Sequence, residues 1–345
     1  MAASKKKSKK AGARAPANRP VRHILSLDGG GVRGVITATW LAALEERLDG
    51  PLHGYFDLVA GTSTGSILAA AVGNGIPARK IVELYRDRAQ FIFPKRSAWN
   101  VFGKAWDWMS KTVEHGVSHP KYDPDGLHKE LKRVFKTTRL EALKTRVLVP
   151  SYDTLTRQAV IFKTTNPRHK KLEVWQVCTA SSSAPTYFPA HVMKLGSAKA
   201  PLVDGGVVAN NPTACAIAEA IKLRTDAKTD RGTVLDDLLV VSMGTGETTR
   251  PITIDDATEW GPIEWAIPVI DVLFDGAADA VSYIAAQAVG KDNYERLQVK
   301  LTSAYDDMDN ASATNLNALQ LQAEAYLRDG GNEQLDRIAA RLQGA

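Results

Sequence analysis

Three short clusters in this chain have the residue types needed to cleave an ester. Residues 61–65 read Gly-Thr-Ser-Thr-Gly, between the apolar run Phe56-Asp57-Leu58-Val59-Ala60 and the stretch Ser66-Ile67-Leu68-Ala69-Ala70-Ala71-Val72. That order predicts strand, sharp turn and helix with Ser63 at the apex. Glycines two residues either side leave room for the turn, and the strained geometry pushes the hydroxyl out towards a substrate. A serine so placed attacks an acyl carbon when a base can take its proton. The bare G-x-S-x-G pattern also fits a turn with no chemistry, so the rest of the chain must decide.

The base is not an evident histidine. His23, His53, His115, His119, His128, His169 and His191 are the seven present. None ends a late predicted strand, and His191, after Tyr187-Phe188-Pro189-Ala190, is the least implausible of them. Asp204 is the better candidate. It closes the apolar run Pro201-Leu202-Val203 and precedes Gly205-Gly206. A carboxylate with a pKa of about 4 is ionised at neutral pH and can accept a serine proton directly. Aspartate before two glycines is also an ordinary turn signal.

The third cluster is Asp28-Gly29-Gly30-Gly31-Val32-Arg33-Gly34, which follows the strand-like His23-Ile24-Leu25-Ser26-Leu27 and opens a helix. Bare amides of Gly29, Gly30 and Gly31 at a helix N-terminus suit the oxyanion of a tetrahedral intermediate. Arg33 would stiffen the loop or add positive field; otherwise it is a solvated arginine at a helix start. Gly29, Gly31 and Gly34 also satisfy G-x-G-x-x-G, so a nucleotide-binding protein with a purely structural Ser63 turn is the rival. A dinucleotide site wants an acid at the end of the second strand. Here that strand runs into the Ser63 turn, and its acid, Asp57, lies near its start.

Taken in order, the Asp28–Gly34, Gly61–Gly65 and Asp204–Gly206 clusters resemble the patatin-like phospholipases. Ala184-Pro185-Thr186-Tyr187-Phe188-Pro189, Asn210-Asn211-Pro212 and Ser242-Met243-Gly244-Thr245-Gly246 extend the resemblance, which spans about residues 22–300. It implies a three-layer α/β/α fold around a mostly parallel sheet. It also implies a lipid acyl hydrolase that uses a Ser63–Asp204 dyad, an oxyanion hole at Gly29, Gly30 and Gly31, and neither metal nor cofactor. The substrate would be a membrane glycerophospholipid, cleaved through an acyl-enzyme. The compact layout, with Tyr294-Glu295-Arg296-Leu297-Gln298 and Met308-Asp309-Asn310-Ala311-Ser312, further resembles bacterial anti-phage (CBASS) effectors. In those a cyclic di- or oligonucleotide switches the phospholipase on. No residue pattern reads as a cyclic-nucleotide site, and homo-oligomerisation is left open.

The elements that must position these clusters follow from periodicity. Strands are predicted at 23–27, 55–60, 147–149, 159–162, 201–204, 238–242 and 297–301. Helices are predicted at 35–48, 64–73, from Ile76-Pro77, at 123–136, after Asn211-Pro212 and through most of the last ~80 residues. Strand–helix alternation implies right-handed parallel crossovers with helices on both faces.

The charge is unevenly spread. Residues 1–22 hold eight basic groups and no acid, leaving 36 basic against 38 acidic groups. Basicity therefore belongs to a tail, expected to be disordered over 1–21, and gives no reason to expect DNA or RNA as a partner. Residues 22–345 form the expected catalytic domain. No stretch matches a secretory signal or a membrane span, and Cys178 and Cys215 make no disulfide framework. A cytoplasmic enzyme touching the inner membrane face peripherally is the expectation. Near 91–121 lies an aromatic and basic insertion. If helical, it sets Trp99, Phe102 and Trp106 on one face, as a lid or interfacial helix, or as a core-facing helix or dimer contact.

Overall fold

In the computed structural model, residues 21–94, 120–226, 235–265 and 268–344 are described. The expected positions Trp99, Phe102 and Trp106 lie outside them, as does the basic tail except Val21, which is buried against the core.

The centre is an eight-stranded sheet. Strands β1 (His23–Leu27), β2 (Leu58–Gly61), β3 (Arg146–Asp153), β7 (Leu239–Met243) and β8 (Tyr294–Leu297) run parallel in the order β3-β2-β1-β7-β8. β4 (Gln158–Lys163), β5 (His191–Leu195) and β6 (Ala198–Asp204) add antiparallel pairs. The central strands are apolar on both faces because helices cover both. Leu25, Val59, Val147, Val149 and Val241 belong to one core, which includes Trp40, Leu41 and Leu44 of α1 (Gly34–Glu45). Their neighbours Ile24, Leu58, Leu148 and Val240 point the other way. They meet Ala216, Ile217 and Ala220 of α6 (Thr213–Asp226) and Ala285 and Val289 of α7 (Pro268–Val289).

One register choice builds the site. β3 outruns β2. Its first residues pair with β2 up to Leu148–Ala60, and Ser151 to Asp153 then pair with β6. β4 already occupies the opposite edge of β3 from Leu148 onwards. β6 therefore takes the lane that β2 vacates, and its last residue, Asp204, sits opposite Ser151. This brings Asp204 to the carboxyl end of the parallel sheet, where the loops after β1 and β2 also lie.

Four further helices matter below: α2 (Thr64–Asn74), α3 (Ala78–Ile92), α4 (Asp125–Phe135) and α5 (Val174–Ser182). The second strand starts at Leu58 rather than residue 55, because Leu52–Gly54 forms a 3₁₀ turn capped by Tyr55. The last strand is Tyr294–Leu297 rather than 297–301. Its charged residues Glu295 and Arg296 hide it from a search for apolar runs, and beyond it Lys300 makes only an isolated bridge to Glu247.

Candidate active site

Ser63 follows Thr62 in the turn between β2 and α2 and caps the helix, with φ 54° and ψ −123°. Few residues other than glycine tolerate that backbone conformation, which costs on the order of 1–3 kcal/mol. The flanking glycines are required by contact. A Cβ on Gly65 would lie 2.2 Å from the Leu27 carbonyl oxygen, and one on Gly61 would lie 2.0 Å from that of Gly65. The turn is held from outside as well. The Ser63 amide donates to Ser181 Oγ at 3.0 Å, and Ser181 Oγ donates to the Pro150 carbonyl at 2.6 Å.

The Ser63 hydroxyl donates to Asp204 Oδ2 at 2.7 Å. The other carboxylate oxygen, Oδ1, accepts from the Gly206 amide at 2.7 Å. Asp204 has no solvent exposure. Burial raises its pKa to about 7, although the hydrogen bonds from Gly206 and Ser63 pull the other way. Desolvation therefore wins, and Asp204 becomes a carboxylate whose proton affinity sits near neutral pH.

The glycine loop closes the site from the β1 side. The Gly29 amide is already committed to the Asn210 carbonyl at 3.0 Å. Gly30 and Gly31 differ: among the described residues, neither amide donates to any group. Both are aimed by their own peptide planes. Thr245 Oγ1 holds the Gly29 carbonyl at 2.7 Å, which fixes the direction of the Gly30 N–H. The Gly30 carbonyl accepts from the Arg33 amide at 3.1 Å and from Arg33 Nε at 3.4 Å, which fixes the Gly31 N–H. Arg33 is thus buried behind the loop, not solvated at a helix start. Gly31 has φ 57°, and a Cβ there would strike the Met308 carbonyl oxygen at 2.0 Å.

Sequence reasoning did not find Ser181, Thr245, or Arg296, whose guanidinium reaches Asp28 Oδ2 at 2.6 Å and Ser242 Oγ at 2.9 Å. Thr245 lay within a quoted motif, but nothing in the motif says what it holds. None of the described histidines lines the cleft around Ser63. His191 lies on β5 with its ring against His128 and Trp175, and burial lowers its pKa to about 4. As for the rival nucleotide site, the Asp57 carboxylate accepts from the amides of Arg22 and His23, at the start of β1 and the far end of the strand from the glycine loop.

Ser63, Asp204 and Gly31 share one cleft of ≈ 840 Å³, counted with its open mouth. Its walls are mostly aliphatic and aromatic, including Ile67, Leu84, Ile92, Phe93, Leu131 and Phe274.

The chain has informative relatives. A family model described as patatin-like phospholipase matches residues 25–217. Patatin-like protein 2 of Oryza sativa subsp. indica is 34% identical over 345 aligned positions, covering 88% of this chain and 83% of that protein. Patatin-like protein 1 of Arabidopsis thaliana is 32% identical over 342 positions, covering 88% and 81%. Among solved structures, human GIVD cytosolic phospholipase A2 aligns over 94% of this chain and 61% of that one, at 11% identity and a TM-score of 0.49. The chain belongs to the patatin-like phospholipase family. It is a lipid acyl hydrolase.

Proposed function

We propose that the protein cleaves fatty-acyl esters of membrane glycerophospholipids with Ser63 as nucleophile and Asp204 as the sole general base. The observation that carries this is the 2.7 Å hydrogen bond from Ser63 Oγ to a buried carboxylate at the wall of an apolar cleft. Ser63 Oγ attacks the ester carbon as its proton passes to Asp204. Negative charge gathers on the former carbonyl oxygen, which the amides of Gly30 and Gly31 receive. The carbon–oxygen bond to glycerol breaks, and the leaving oxygen takes the proton back from Asp204. Water then attacks the acyl-enzyme, gives its proton to the same carboxylate, and releases fatty acid with Ser63 restored. Incubating the protein with phosphatidylcholine vesicles tests this: equimolar fatty acid and lysophospholipid are expected, and an absence of both would contradict it.

Thr245→Val probes the loop. It keeps the side-chain shape but drops the hydrogen bond to the Gly29 carbonyl, so the Gly30 amide is no longer held on target. Losing a whole oxyanion donor costs about 10²–10³-fold; misaiming one is expected to cost about tenfold in kcat on a soluble ester. Wild-type kcat in this variant would remove Thr245 from the account.

Approach to the bilayer is supported by α7. Its inner face sends Phe274 into the cleft wall, while Val269, Val272, Leu273, Tyr283 and Ile284 form one exposed stripe on its outer side. α7 thus carries an exposed apolar stripe on one side and a cleft-wall residue on the other, so a lipid surface seated on the stripe would lie beside the cleft. No helix among the described residues is long and apolar enough to cross a membrane. Val272→Asp with Leu273→Asp should cut vesicle hydrolysis at least about tenfold, since each aliphatic side chain loses ~1.5–3 kcal/mol of burial. Hydrolysis of p-nitrophenyl butyrate should stay within about threefold. Equal losses on both substrates would argue against contact through α7.

Activation by a cyclic oligonucleotide, and with it an anti-phage role, has the compact layout and the likeness of residues 294–298 and 308–312 behind it. Those segments already have work at the site. Arg296 anchors Asp28 beneath the glycine loop, and the Met308 carbonyl accepts from the Val32 amide at 2.8 Å.

A further inference from the structure

The cleft does not stop at the dyad. It extends along the seam between α3 and α4, and this seam is the wall with most to say about substrate choice. The two helices run antiparallel. A Cβ on Gly126 would meet the Phe91 carbonyl, and one helical turn away Arg88 reaches Glu130. That pair is a clamp. Arg88 Nε donates to Glu130 Oε2 at 2.9 Å, Arg88 Nη2 donates to Oε1 at 2.5 Å, and Arg133 Nε adds a bond to Oε2 at 2.9 Å. Arg88 first, then Arg133, holds the Glu130 carboxyl below the usual glutamate range, so the clamp stays charged at neutral pH. The distance between α3 and α4 is thereby fixed, and the space in the seam depends on the side chains that face it.

On α3 the buried positions Ile81, Tyr85 and Ala89 recur every four residues. Tyr85 marks the level of the dyad, because its hydroxyl meets Thr64 Oγ1, on the residue after Ser63. Ala89 comes one turn later, about 6 Å along the axis. It is the smallest of the α3 side chains that line the cleft; Leu84, Tyr85 and Ile92 are all large, as is Phe93 just past the helix end. Across from it, Leu127 and Leu131 of α4 line the same space. The register set by Arg88–Glu130 puts Ala89 between their heights. A cavity therefore exists where a leucine or phenylalanine on α3 would have filled the seam.

We infer that the fatty-acyl chain lies in the α3–α4 seam, and that Ala89, facing Leu131, determines how long a chain the enzyme accepts. This rests on the acyl-hydrolase function proposed above and names the residue that sets its chain-length preference. A short acyl group bound to Ser63 ends near Tyr85. A long one must pass Ala89. At that level Ala89, Leu127 and Leu131 present hydrocarbon, and the Glu130 carboxylate that also lines the cleft is engaged by Arg88 and Arg133, so selection there is by room.

The test is a ratio. kcat/KM is measured for p-nitrophenyl palmitate and p-nitrophenyl butyrate, both in the same detergent, for wild type, Ala89→Phe and Leu131→Phe. Filling the seam from either side should lower the palmitate-to-butyrate ratio at least tenfold. The two variants approach from opposite helices, so one that fails to fold leaves the other to decide. A merely structural defect lowers both rates together and leaves the ratio unchanged; that result in a folded variant overturns the inference. A wild-type protein that cleaves neither ester removes the hydrolase function itself, and this inference with it.

Discussion

Asp204→Asn is expected to lower kcat/KM by about 10³–10⁴-fold and to make the protein more stable. The loss follows from which atom faces which. The Gly206 amide needs an acceptor, so the asparagine keeps its carbonyl oxygen there and turns its NH₂ towards Ser63. Ser63 then receives a hydrogen bond where it must give one away. Removing a positioned general base costs typically 10²–10⁴-fold, and none of the described histidines lines the cleft to substitute. The stability gain follows from the sign of the pKa shift. In the folded chain the Asp204 pKa is raised from 3.8 to about 7. The folded state therefore holds this proton more tightly than the unfolded state does. Stability contributed by the protonated form is complete below about pH 4 and is lost as pH rises through about 7. At neutral pH the buried charge costs at most about 4 kcal/mol, which asparagine avoids. Thermal denaturation at about pH 7.5 should show the variant melting several degrees higher; a lower midpoint would mean the carboxylate is stabilising. Wild-type activity should fall about tenfold per pH unit below about pH 7, because protonated Asp204 cannot accept from Ser63.

Ser63→Ala and Ser63→Gly are both expected to remove hydrolysis, with a fall in kcat of about 10⁴-fold or more. They differ in stability. Residue 63 sits at φ 54° whichever side chain it carries. Alanine keeps that strain and loses the bond to Asp204. Glycine loses the same bond but relieves backbone strain of about 1–3 kcal/mol. The glycine variant should therefore unfold at higher denaturant than the alanine variant. Equal midpoints would show that the turn is not strained, and the hydroxyl's outward placement would need another cause.

The parts of this site that were legible in the sequence are those where backbone geometry forbids alternatives. Gly61 and Gly65 flank Ser63 because any Cβ there would overlap a carbonyl, and such constraints survive as motifs. Asp204 was legible because it ends a strand at a glycine turn. What the sequence concealed are the pairings that need the finished fold. Asp28 and Arg296 are 268 positions apart, and nothing local marks Arg296 as a partner for the loop. Arg33 read equally well as a solvated residue, since burial behind Gly30 is visible only in three dimensions. Gly29 read like its two neighbours, yet its amide is spent on Asn210. Ala89 carried no signal at all: one small residue on an amphipathic helix means nothing until the opposite wall is known. β5 went unseen and β6 was read only from residue 201, because Lys194 and Lys199 face each other across an exposed edge with little apolar pattern.

The most direct test of the dyad is the pH dependence of the rate at which a fluorophosphonate modifies the protein, read by mass spectrometry of the peptide containing residue 63. The adduct should sit on Ser63. Its rate should climb about tenfold per unit to a plateau above about pH 7, following one ionisation, and in Asp204→Asn it should fall at least about 100-fold. Label on another residue, or a wild-type rate that is flat from about pH 5 to about pH 9, would show that the buried carboxylate does not activate this serine.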